Sequence, residues 1–236
     1  MNLLLLSPND LINDNQALIK ERQLQHIQQV HRSQEGDSLS IGIINGRLGK
    51  GCITKLTTEE AIINFQLDTP PPPKLPVTLL LALPRPKMLR RILQTIATMG
   101  VNKLILINSY KVEKSFWQTP FLMPDNIQQQ LLLGLEQAKD TVLPEVQLVK
   151  RFKPFVEDEL PHLIKDTHNL IAHLGNYPLC SQLPNQPTTL AIGPEGGWID
   201  YEVDKLQQIG FTAVQLGTRV LRVETAVVAF LTKLYY

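Results

Sequence analysis

Two short apolar runs in the last quarter of the chain each lead directly into a loop that contains glycine. The runs are residues 188–192 and 212–216, and the loops follow at 193–197 and at Gly217. Continuous apolar runs of this length are typical of strands buried on both faces of a parallel sheet. Glycine at the end of such a strand lets the backbone approach a ligand closely. We therefore expect one crevice at the carboxyl ends of the strands, where open α/β sheets bind their ligands.

From residue 77 onward, strand-like apolar runs alternate with helix-like segments. The predicted strands are 77–83, 101–108, 170–174, 188–192 and 212–216, and the predicted helices are 86–99, 125–138, 200–209 and 223–236. Asp200 is the expected N-cap of its helix. Alternation of this kind indicates a parallel sheet with helices on both faces, which is an α/β fold.

Four consecutive prolines at residues 70–73 mark a domain boundary, because they form a stiff extended spacer that joins neither a helix nor a central strand. On the N-terminal side the predicted elements are a first strand at the N-terminus, a helix at 17–29, strands at 37–44, 51–55 and 61–67, and a hairpin turn at Asn45-Gly46. We therefore expect a small β-barrel-like module at residues 1–70, a proline-rich linker at 71–76 and an α/β domain at 77–236.

The net charge of +1 excludes a globally basic protein that coats nucleic acid, but one segment is strongly basic. Residues 69–112 contain no acid and carry the basic residues Lys74, Arg85, Lys87, Arg90, Arg91, Lys103 and Lys111. Cys52 and Cys180 lie far apart and have no histidine at ligand spacing, so we expect reduced thiols, no zinc site and a cytoplasmic protein. The sequence has no uninterrupted apolar run of about 18 residues, so we expect no membrane span.

Few charged residues stand in the glycine loops or just after them: Glu195, Arg219, Arg222 and Glu224. The loops lack the glycine patterns of the common phosphate-binding motifs. Arginine beside apolar strand ends requires a function or a partner. Two interpretations stay open at this point. The charged residues form a ligand site, or an Arg219–Glu195 or Arg222–Glu224 ion pair braces the loops.

The sequence IGPEGG at 192–197, followed by a helix and by LGTRVLRVETA at 216–226, resembles the RsmE family of the SPOUT superfamily. Members of this superfamily are S-adenosylmethionine-dependent RNA methyltransferases. Weaker matching elements begin at His26, Ala82 and Glu136, so the resemblance extends over most of the chain.

The resemblance implies a fold, an activity and partners. The N-terminal domain is expected to be a PUA-like, RNA-binding β-barrel. The C-terminal domain is expected to be a SPOUT parallel sheet that is threaded into a deep trefoil knot, through which two copies form a homodimer. The implied reaction uses S-adenosyl-L-methionine, without a metal, to methylate N3 of a uridine in the 16S ribosomal RNA of the small ribosomal subunit.

The same resemblance also implies the site residues, each from its position in the matching motifs. The implied cofactor-binding residues are Leu174, Ile192, Gly193, Gly197, Leu216, Gly217, Leu221 and Thr225. Negative charge spreads onto the uracil oxygens when N3 loses its proton, and a cation aimed at that charge stabilises the transition state. Arg222 is the first candidate for this cation and Arg219 the second. Glu195 either accepts the proton or holds loop amides, and we favour the second role because a carboxylate among glycine N–H groups is well satisfied.

Exposed cations are the candidates for binding RNA phosphates. They are Arg85, Lys87, Arg90 and Arg91 in the basic segment, and Arg32 and Arg47 in the N-terminal module. His173 ends an apolar strand beside the expected pocket and is a further candidate for ligand contact.

Four positions depart from the family pattern. Thr95 and Thr98 stand where the family usually has a lysine and a glutamate, Asp140 where it has an arginine, and His31 where it has a leucine. None lies in the cofactor loops, and we expect them on surfaces that meet RNA or the partner subunit. Two alternatives therefore stay open: a SPOUT methyltransferase for a different RNA position, such as a ribose hydroxyl, or a non-catalytic RNA-binding assembly factor.

Overall fold

The computed structural model describes residues 3–236, with the side chains of Val30 and His31 left out, so the departure at His31 lies outside the described residues. The chain divides into two compact units. The first comprises Met1–Pro73 and Leu131–Leu143, and the second comprises Lys74–Gln130 and Pro144–Tyr236.

The first unit is built on a curled, mixed sheet of six strands in the order β1-β4-β5-β6-β3-β2. The strands are β1 (Leu4–Leu6), β2 (Leu11–Asn13), β3 (Gln16–Ile19), β4 (Ser38–Ile43), β5 (Leu48–Leu56) and β6 (Ala61–Thr69). β1 pairs with β4 in parallel, and the other pairs are antiparallel. Register shifts in the long β5–β6 pair add local twist and bend the sheet. The predicted β-rich N-terminal module is therefore confirmed.

Alternate residues of these strands, together with Leu24 and Ile27 from the helical segment between β3 and β4, form the core of the first unit. The buried apolar residues are Leu4, Leu6, Ala17, Ile19, Leu24, Ile27, Ile41, Ile53, Ala61, Ile63 and Phe65. The predicted hairpin joins β4 to β5, with Asn45 at a positive φ of 59°. At Gly49 a Cβ atom would lie 1.8 Å from the carbonyl oxygen of Gln66, so only glycine allows β5 and β6 to approach this closely.

The predicted helix at 17–29 is wrong in its first part. Residues Gln16–Ile19 form β3, which pairs with β6, and helix α1 spans only Glu21–His26 before a π-helical turn at Ile27–His31. Ala17 and Ile19 alternate into the core with the period of a strand. Pairing with β6 therefore outweighs the helical spacing of the same residues.

Residues 131–143 pack as part of the first unit, although the boundary predicted from the sequence placed them in the α/β domain. The guanidinium of Arg22 donates two hydrogen bonds to the buried carboxylate of Glu136, at 2.6 and 3.1 Å. The hydroxyl of Thr141 donates to the carbonyl of Gly46 at 2.6 Å. Contacts across the first unit thus determine where this segment packs, and a boundary read from composition does not detect them.

Asp140, within the same segment, does not lie on a surface that meets RNA or a partner, so that expectation is wrong. Its side chain is only 3% exposed. Its Oδ1 accepts hydrogen bonds from the backbone N–H groups of Thr141 (2.6 Å) and Val142 (3.0 Å). The aspartate therefore caps the turn after the preceding helix.

The second unit contains a six-stranded sheet in the order β12-β10-β11-β7-β8-β9, and every pairing in it is parallel. Its strands are β7 (Leu75–Ala82), β8 (Val101–Ile107), β9 (Glu145–Val149), β10 (His168–Ala172), β11 (Thr188–Ile192) and β12 (Thr212–Val214). Its helical segments are α2 (Pro86–Thr98), α3 (Pro124–Ala138, which ends among the residues of the first unit), α4 (Phe152–Pro154), α5 (Leu160–Leu163), α6 (Asp200–Gln208) and α7 (Val223–Tyr235). The parallel α/β prediction is confirmed.

The edge strand β9 and the helical stretch from α4 to α5 were not predicted, and neither were two short 3₁₀ helices at Lys114–Gln118 and Pro120–Leu122. Only Val149 is buried in β9, because the strand has one neighbour and lies at the edge of the sheet. Its sequence EVQLV therefore lacks a continuous apolar run. No helix within the described residues is long and apolar enough to cross a membrane.

Candidate ligand site at the strand ends

A cavity of about 340 Å³ lies at the carboxyl ends of β10, β11 and β12. β10 is central: Ala172 pairs with Ile192 of β11 on one side and with Val214 of β12 on the other. The three strands therefore end at the same level, and the loops that follow them start side by side. The two predicted glycine loops meet here, and the loop after β10 lies between their strands.

Nineteen residues line the cavity, and most belong to these loops. Of the expected cofactor residues, the lining includes Leu174, Ile192, Gly193, Gly197, Leu216, Gly217 and Leu221. Residues that sequence reasoning did not select are Ala172, Pro194, Trp198, Gln215, Val220, Val223, Ala226 and Phe230.

Thr225 is the one expected cofactor residue that does not line the cavity, and its side chain is exposed. Val223, Ala226 and Phe230 of α7 do line it. These three recur at helical spacing and so lie on one face of α7, whereas Thr225 lies on another. The expectation for Thr225 followed its position in the motif and did not take the helical face into account.

Only some of the candidate charged residues lie at the cavity. Glu195 and Arg219 line the cavity, whereas Arg222 is the exposed N-cap residue of α7 and is not part of the lining. Neither the Arg219–Glu195 nor the Arg222–Glu224 ion pair forms among the residues that the structure describes.

Glu195 has a different partner. Its Oε1 accepts a hydrogen bond from the backbone N–H of Arg85 at 3.1 Å, and the Arg85 Nε lies 4.0 Å away. Arg85 is the N-cap residue of α2, so the carboxylate neutralises part of the positive end of that helix dipole. The contact fixes the 193–197 loop against the start of α2.

A second contact fixes the same loop. The ammonium of Lys111 donates to the carbonyl oxygen of Gly196 at 2.7 Å. The Lys111 stem packs so closely that a Cβ on Gly196 would lie 2.8 Å from the lysine Cδ. Glycine at this position therefore makes room for the lysine side chain.

A buried carboxylate that sequence reasoning missed, Glu202, holds the start of α6. It is 2% exposed and accepts hydrogen bonds from Ile199 N (3.1 Å), Tyr110 N (2.8 Å) and Ser109 Oγ (3.1 Å). Asp200 is not the N-cap as predicted, because Ile199 occupies that position. The sequence does contain a signal for this role. A glutamate at the third position of a helix typically accepts a hydrogen bond from the backbone N–H of the N-cap residue.

Trp198 forms another part of the wall and packs tightly. A Cβ on Gly193 would lie 3.0 Å from Trp198 N and 3.2 Å from its ring, so the two residues fit only because Gly193 has no side chain. The indole also packs on the ring of Phe152, with centroids 6.1 Å apart.

His173 lines the cavity, as the sequence allowed. Its ring lies 5.6 Å from that of Tyr177. Burial is the main cause that lowers the pKa of His173, Lys111 lowers it further, and Asp200 acts in the opposite direction. The imidazole is therefore neutral near physiological pH and can accept a hydrogen bond inside the cavity.

The basic segment forms the exposed face of α2. Leu89, Ile92, Leu93 and Ile96 are buried on one side of the helix, and Arg85, Lys87, Arg90 and Arg91 are exposed at its first turns. The guanidinium of Arg90 lies 5.3 Å from the centroid of the Phe121 ring, a cation–π contact that orients it. Thr98, one of the departures from the family pattern, is exposed at the other end of α2.

Within the first unit, both candidate RNA-binding arginines are exposed. Arg32 has a left-handed backbone, with φ 52° and ψ 37°. Arg47 donates to the carbonyl of Asp68 at 2.6 Å. Among the described residues, no cluster of three or more His, Cys, Asp or Glu side chains could hold a metal ion.

The known proteins that this chain resembles are RNA methyltransferases. A family model described as an RNA methyltransferase domain matches residues 71–235. Ribosomal RNA small subunit methyltransferase E of Treponema pallidum is 29% identical over 97% of this chain and 88% of the relative. The relative of the same name from Synechocystis sp. is 29% identical over 94% of this chain and 73% of the relative.

Solved structures share the fold. Ribosomal RNA small subunit methyltransferase E from Neisseria gonorrhoeae, crystallised with S-adenosyl methionine, has a TM-score of 0.75 at 19% identity over 97% of this chain and 95% of that one. A putative methyltransferase from Legionella pneumophila, in complex with the same cofactor, has a TM-score of 0.76 at 21% identity over 98% and 95%. The trefoil knot of this fold stays a prediction for the present chain.

Replacing Glu202 by glutamine tests the bracing of the loops around the cavity. An amide NH₂ facing N–H and O–H donors leaves at least one of them unpaired, so we expect the free energy of unfolding to fall by about 2 kcal/mol in urea titrations. Asp204→Asn makes the same chemical change on the exposed side of α6 and should alter stability by less than about 0.5 kcal/mol. Equal stability of both variants would contradict the bracing role.

Proposed function

The chain belongs to the RNA methyltransferase domain family as an RsmE-type, S-adenosylmethionine-dependent enzyme, and we propose that its target is N3 of a uridine in 16S ribosomal RNA. The observation that carries the proposal is the cavity of residues from three strand-end loops, with an arginine on its wall. The named relatives act on small-subunit ribosomal RNA, and they match over nearly the whole of this chain.

The residues of the cavity fit S-adenosylmethionine. Its volume of about 340 Å³ lies within the range of about 300–1,000 Å³ that is usual for small-ligand sites. Leu174, Ile192, Leu216 and Leu221 supply apolar surface for an adenine ring. When bound, this cofactor supplies an electrophilic methyl group on a sulfonium sulfur.

Two glycines shape the loops that would hold the cofactor. Gly197 has φ +71° and Gly217 has φ +142°, and a Cβ on either would meet no atom within 4 Å. Their backbone conformation, and not a lack of space, therefore requires glycine. We propose that the backbone groups held in this way bind the adenine.

We propose that arginine charge assists the transfer. The N3 atom of uracil must lose a proton, and the negative charge that develops on O2 and O4 is stabilised by a nearby cation. Arg222 is the first candidate and Arg219 the second, and together they flank the lining residues Val220 and Leu221. Holding the cofactor and the uracil in the reacting orientation supplies much of the remaining rate acceleration.

Glu195 is proposed to be a positioning residue. Its carboxylate is already engaged by the backbone of Arg85, and this contact joins the cavity loop to the first turn of α2. The exposed cations Lys87, Arg90 and Arg91 lie on the first turns of α2, and the start of that helix contacts the loop that lines the cavity. We propose that RNA phosphates bind along this face of α2, and that Arg32 and Arg47 give the first unit its RNA contacts.

We also propose that the protein is a cytoplasmic homodimer. Apolar side chains are exposed around the C-terminal loop and α7: Val220 is 80% exposed, and Leu221 and Val228 are exposed as well. Exposed apolar patches often mark sites of protein association. A second copy of the chain that covers this patch agrees with the knotted dimer implied by the family.

The function is tested by comparing modified nucleosides of ribosomal RNA from cells with and without the gene. We expect one 3-methyluridine in 16S ribosomal RNA to disappear and to return when the wild-type chain is supplied. Loss of a ribose methyl group instead would identify a SPOUT enzyme for another position. An unchanged set of nucleosides, together with unimpaired cofactor binding in calorimetry, would contradict the proposed target.

Arg222→Ala should lower turnover by about 100-fold, because the cation that stabilises the developing charge is lost. Cofactor affinity should stay within about 3-fold of wild type, since Arg222 does not line the cavity. Arg219→Ala should weaken cofactor binding as well, because Arg219 does line it. Single-turnover kinetics and calorimetry measure the two effects.

Arg151→Ala removes an exposed arginine elsewhere in the second unit and is the matched control. It should leave turnover and cofactor affinity unchanged. Wild-type turnover in Arg222→Ala would remove that residue from the mechanism.

Changing Arg90 and Arg91 to glutamate should weaken RNA binding and flatten its dependence on salt concentration, because fewer phosphate contacts release fewer counterions. The measurement is fluorescence anisotropy with a 16S ribosomal RNA fragment over a series of salt concentrations. Changing the exposed Lys150 and Lys165 to glutamate alters the net charge equally and is the control. If both double variants bind RNA alike, the face of α2 is not the RNA surface.

A further inference from the structure

Tyr110 presents an aromatic ring to solvent at the carboxyl edge of the parallel sheet. The residue is 80% exposed and follows β8, which ends at Ile107. Tyr110 and Lys111 form the tip of a turn, which the N–H of Val112 closes by donating to the carbonyl of Ser109 at 3.0 Å. A single exposed tyrosine on a surface turn is ordinary. This turn, however, is held in place from two directions.

Two contacts fix the backbone that carries the ring. The N–H of Tyr110 donates to the carboxylate of Glu202 at 2.8 Å, and that carboxylate is buried at the start of α6. The ammonium of Lys111 donates to the carbonyl of Gly196 at 2.7 Å. A ring on a backbone that is already fixed loses less conformational freedom when a flat ligand stacks on it, so it binds such a ligand more strongly.

The turn lies beside the cavity at the strand ends. Gly196, which Lys111 contacts, is one of the residues that line the cavity. Burial is the main cause that lowers the pKa of His173, another lining residue, and the charge of Lys111 lowers it further. Tyr110 itself is not part of the lining. Its ring is therefore available to a molecule that approaches the cavity from solvent, and not to the cofactor inside.

The cations that are candidates for binding phosphates begin at the same loop. The backbone N–H of Arg85, at the start of α2, donates to Glu195, and Lys111 donates to the adjacent residue, Gly196. The strands that lead to α2 and to the turn, β7 and β8, are parallel neighbours in the sheet. The basic face of α2 and the ring of Tyr110 therefore lie next to one loop, where cations can bind phosphates and the ring can bind a base.

A base whose edge is to be methylated must leave the stack of its neighbours, and its faces then lack a flat partner. We propose that the ring of Tyr110 stacks on an unpaired base of the RNA substrate beside the cavity. Tyr110 is then a substrate-binding residue that adds a contact with a base to the phosphate contacts of α2. This role rests on the proposed function, because it requires that RNA approaches the cavity along this edge of the sheet.

The first test replaces Tyr110 by alanine and measures binding of a 16S ribosomal RNA fragment by fluorescence anisotropy. We expect affinity to fall about 10-fold, because the stacking of one base is lost. The slope of log affinity against log salt concentration should stay as in wild type, because no phosphate contact is removed. Tyr110→Phe keeps a ring that can stack, so its affinity should stay within about 2-fold of wild type.

Tyr236→Ala is the matched control. It removes a tyrosine that is 64% exposed and whose hydroxyl donates to the carbonyl of Met99, before the start of β8, whereas Tyr110 follows the end of that strand. Its RNA affinity should equal that of wild type. Tyr110→Ala should keep the wild-type urea midpoint and affinity for S-adenosylhomocysteine, because the side chain is exposed and does not line the cavity.

The second test uses the wild-type chain and does not depend on a variant. When 5-iodouridine replaces uridine in the RNA fragment, irradiation joins the iodinated base to an aromatic side chain that stacks on it. Mass spectrometry of the digested complex then locates the joined residue. We expect the crosslink at Tyr110.

Wild-type RNA affinity in Tyr110→Ala, or crosslinks that form exclusively at other aromatic residues, would overturn the stacking role. The proposed function would stand in that case if the wild-type chain methylates the RNA. A change of oligomeric state in sedimentation of Tyr110→Ala would also overturn the role, since it would assign the ring to an interface between copies. Wild-type protein that binds no RNA would instead contradict the proposed function together with the stacking role.

Discussion

The parallel pairing of β10 with β11 on one side and β12 on the other is the constraint on which the site depends. Ala172 is in register with both Ile192 and Val214, so three chain segments leave the sheet at one level. Side chains from the three segments can then enclose one cavity, although they are far apart in sequence. A shift of one residue in either pairing would turn the side chains of that strand to the opposite face and separate its loop from the others.

Three polar contacts keep the loops in place around that cavity. Glu195 binds the start of α2, Lys111 binds the carbonyl of Gly196, and Glu202 joins the start of α6 to the loop after β8. Each contact satisfies backbone groups that a loop or a helix end would otherwise leave exposed or unpaired. The carboxylates of Glu195 and Glu202 are therefore engaged by backbone groups. We propose that arginine supplies the positive charge that stabilises the developing anion.

Sequence patterns predicted the parts of the fold that depend on local composition. The strand at 188–192 has the predicted bounds: every residue in it is buried, its two threonines have a high strand propensity, and its last three residues are apolar. The patterns failed where a distant partner decides the outcome. Pairing with β6 makes a strand of residues that have helical spacing, and Arg22 and Gly46 hold the 131–143 segment in the first unit. The burial of Glu202 and the exposure of Tyr110 likewise depend on the fold around them.

A crystal structure of the protein with S-adenosylmethionine tests the central claim most directly. We expect the adenine between the loop at 193–197 and the loop that begins at Gly217, with the methyl group facing open space on the side of Arg222 and Arg219. A cavity filled by the chain's own side chains, or a cofactor bound at another place, would contradict the assignment of this site.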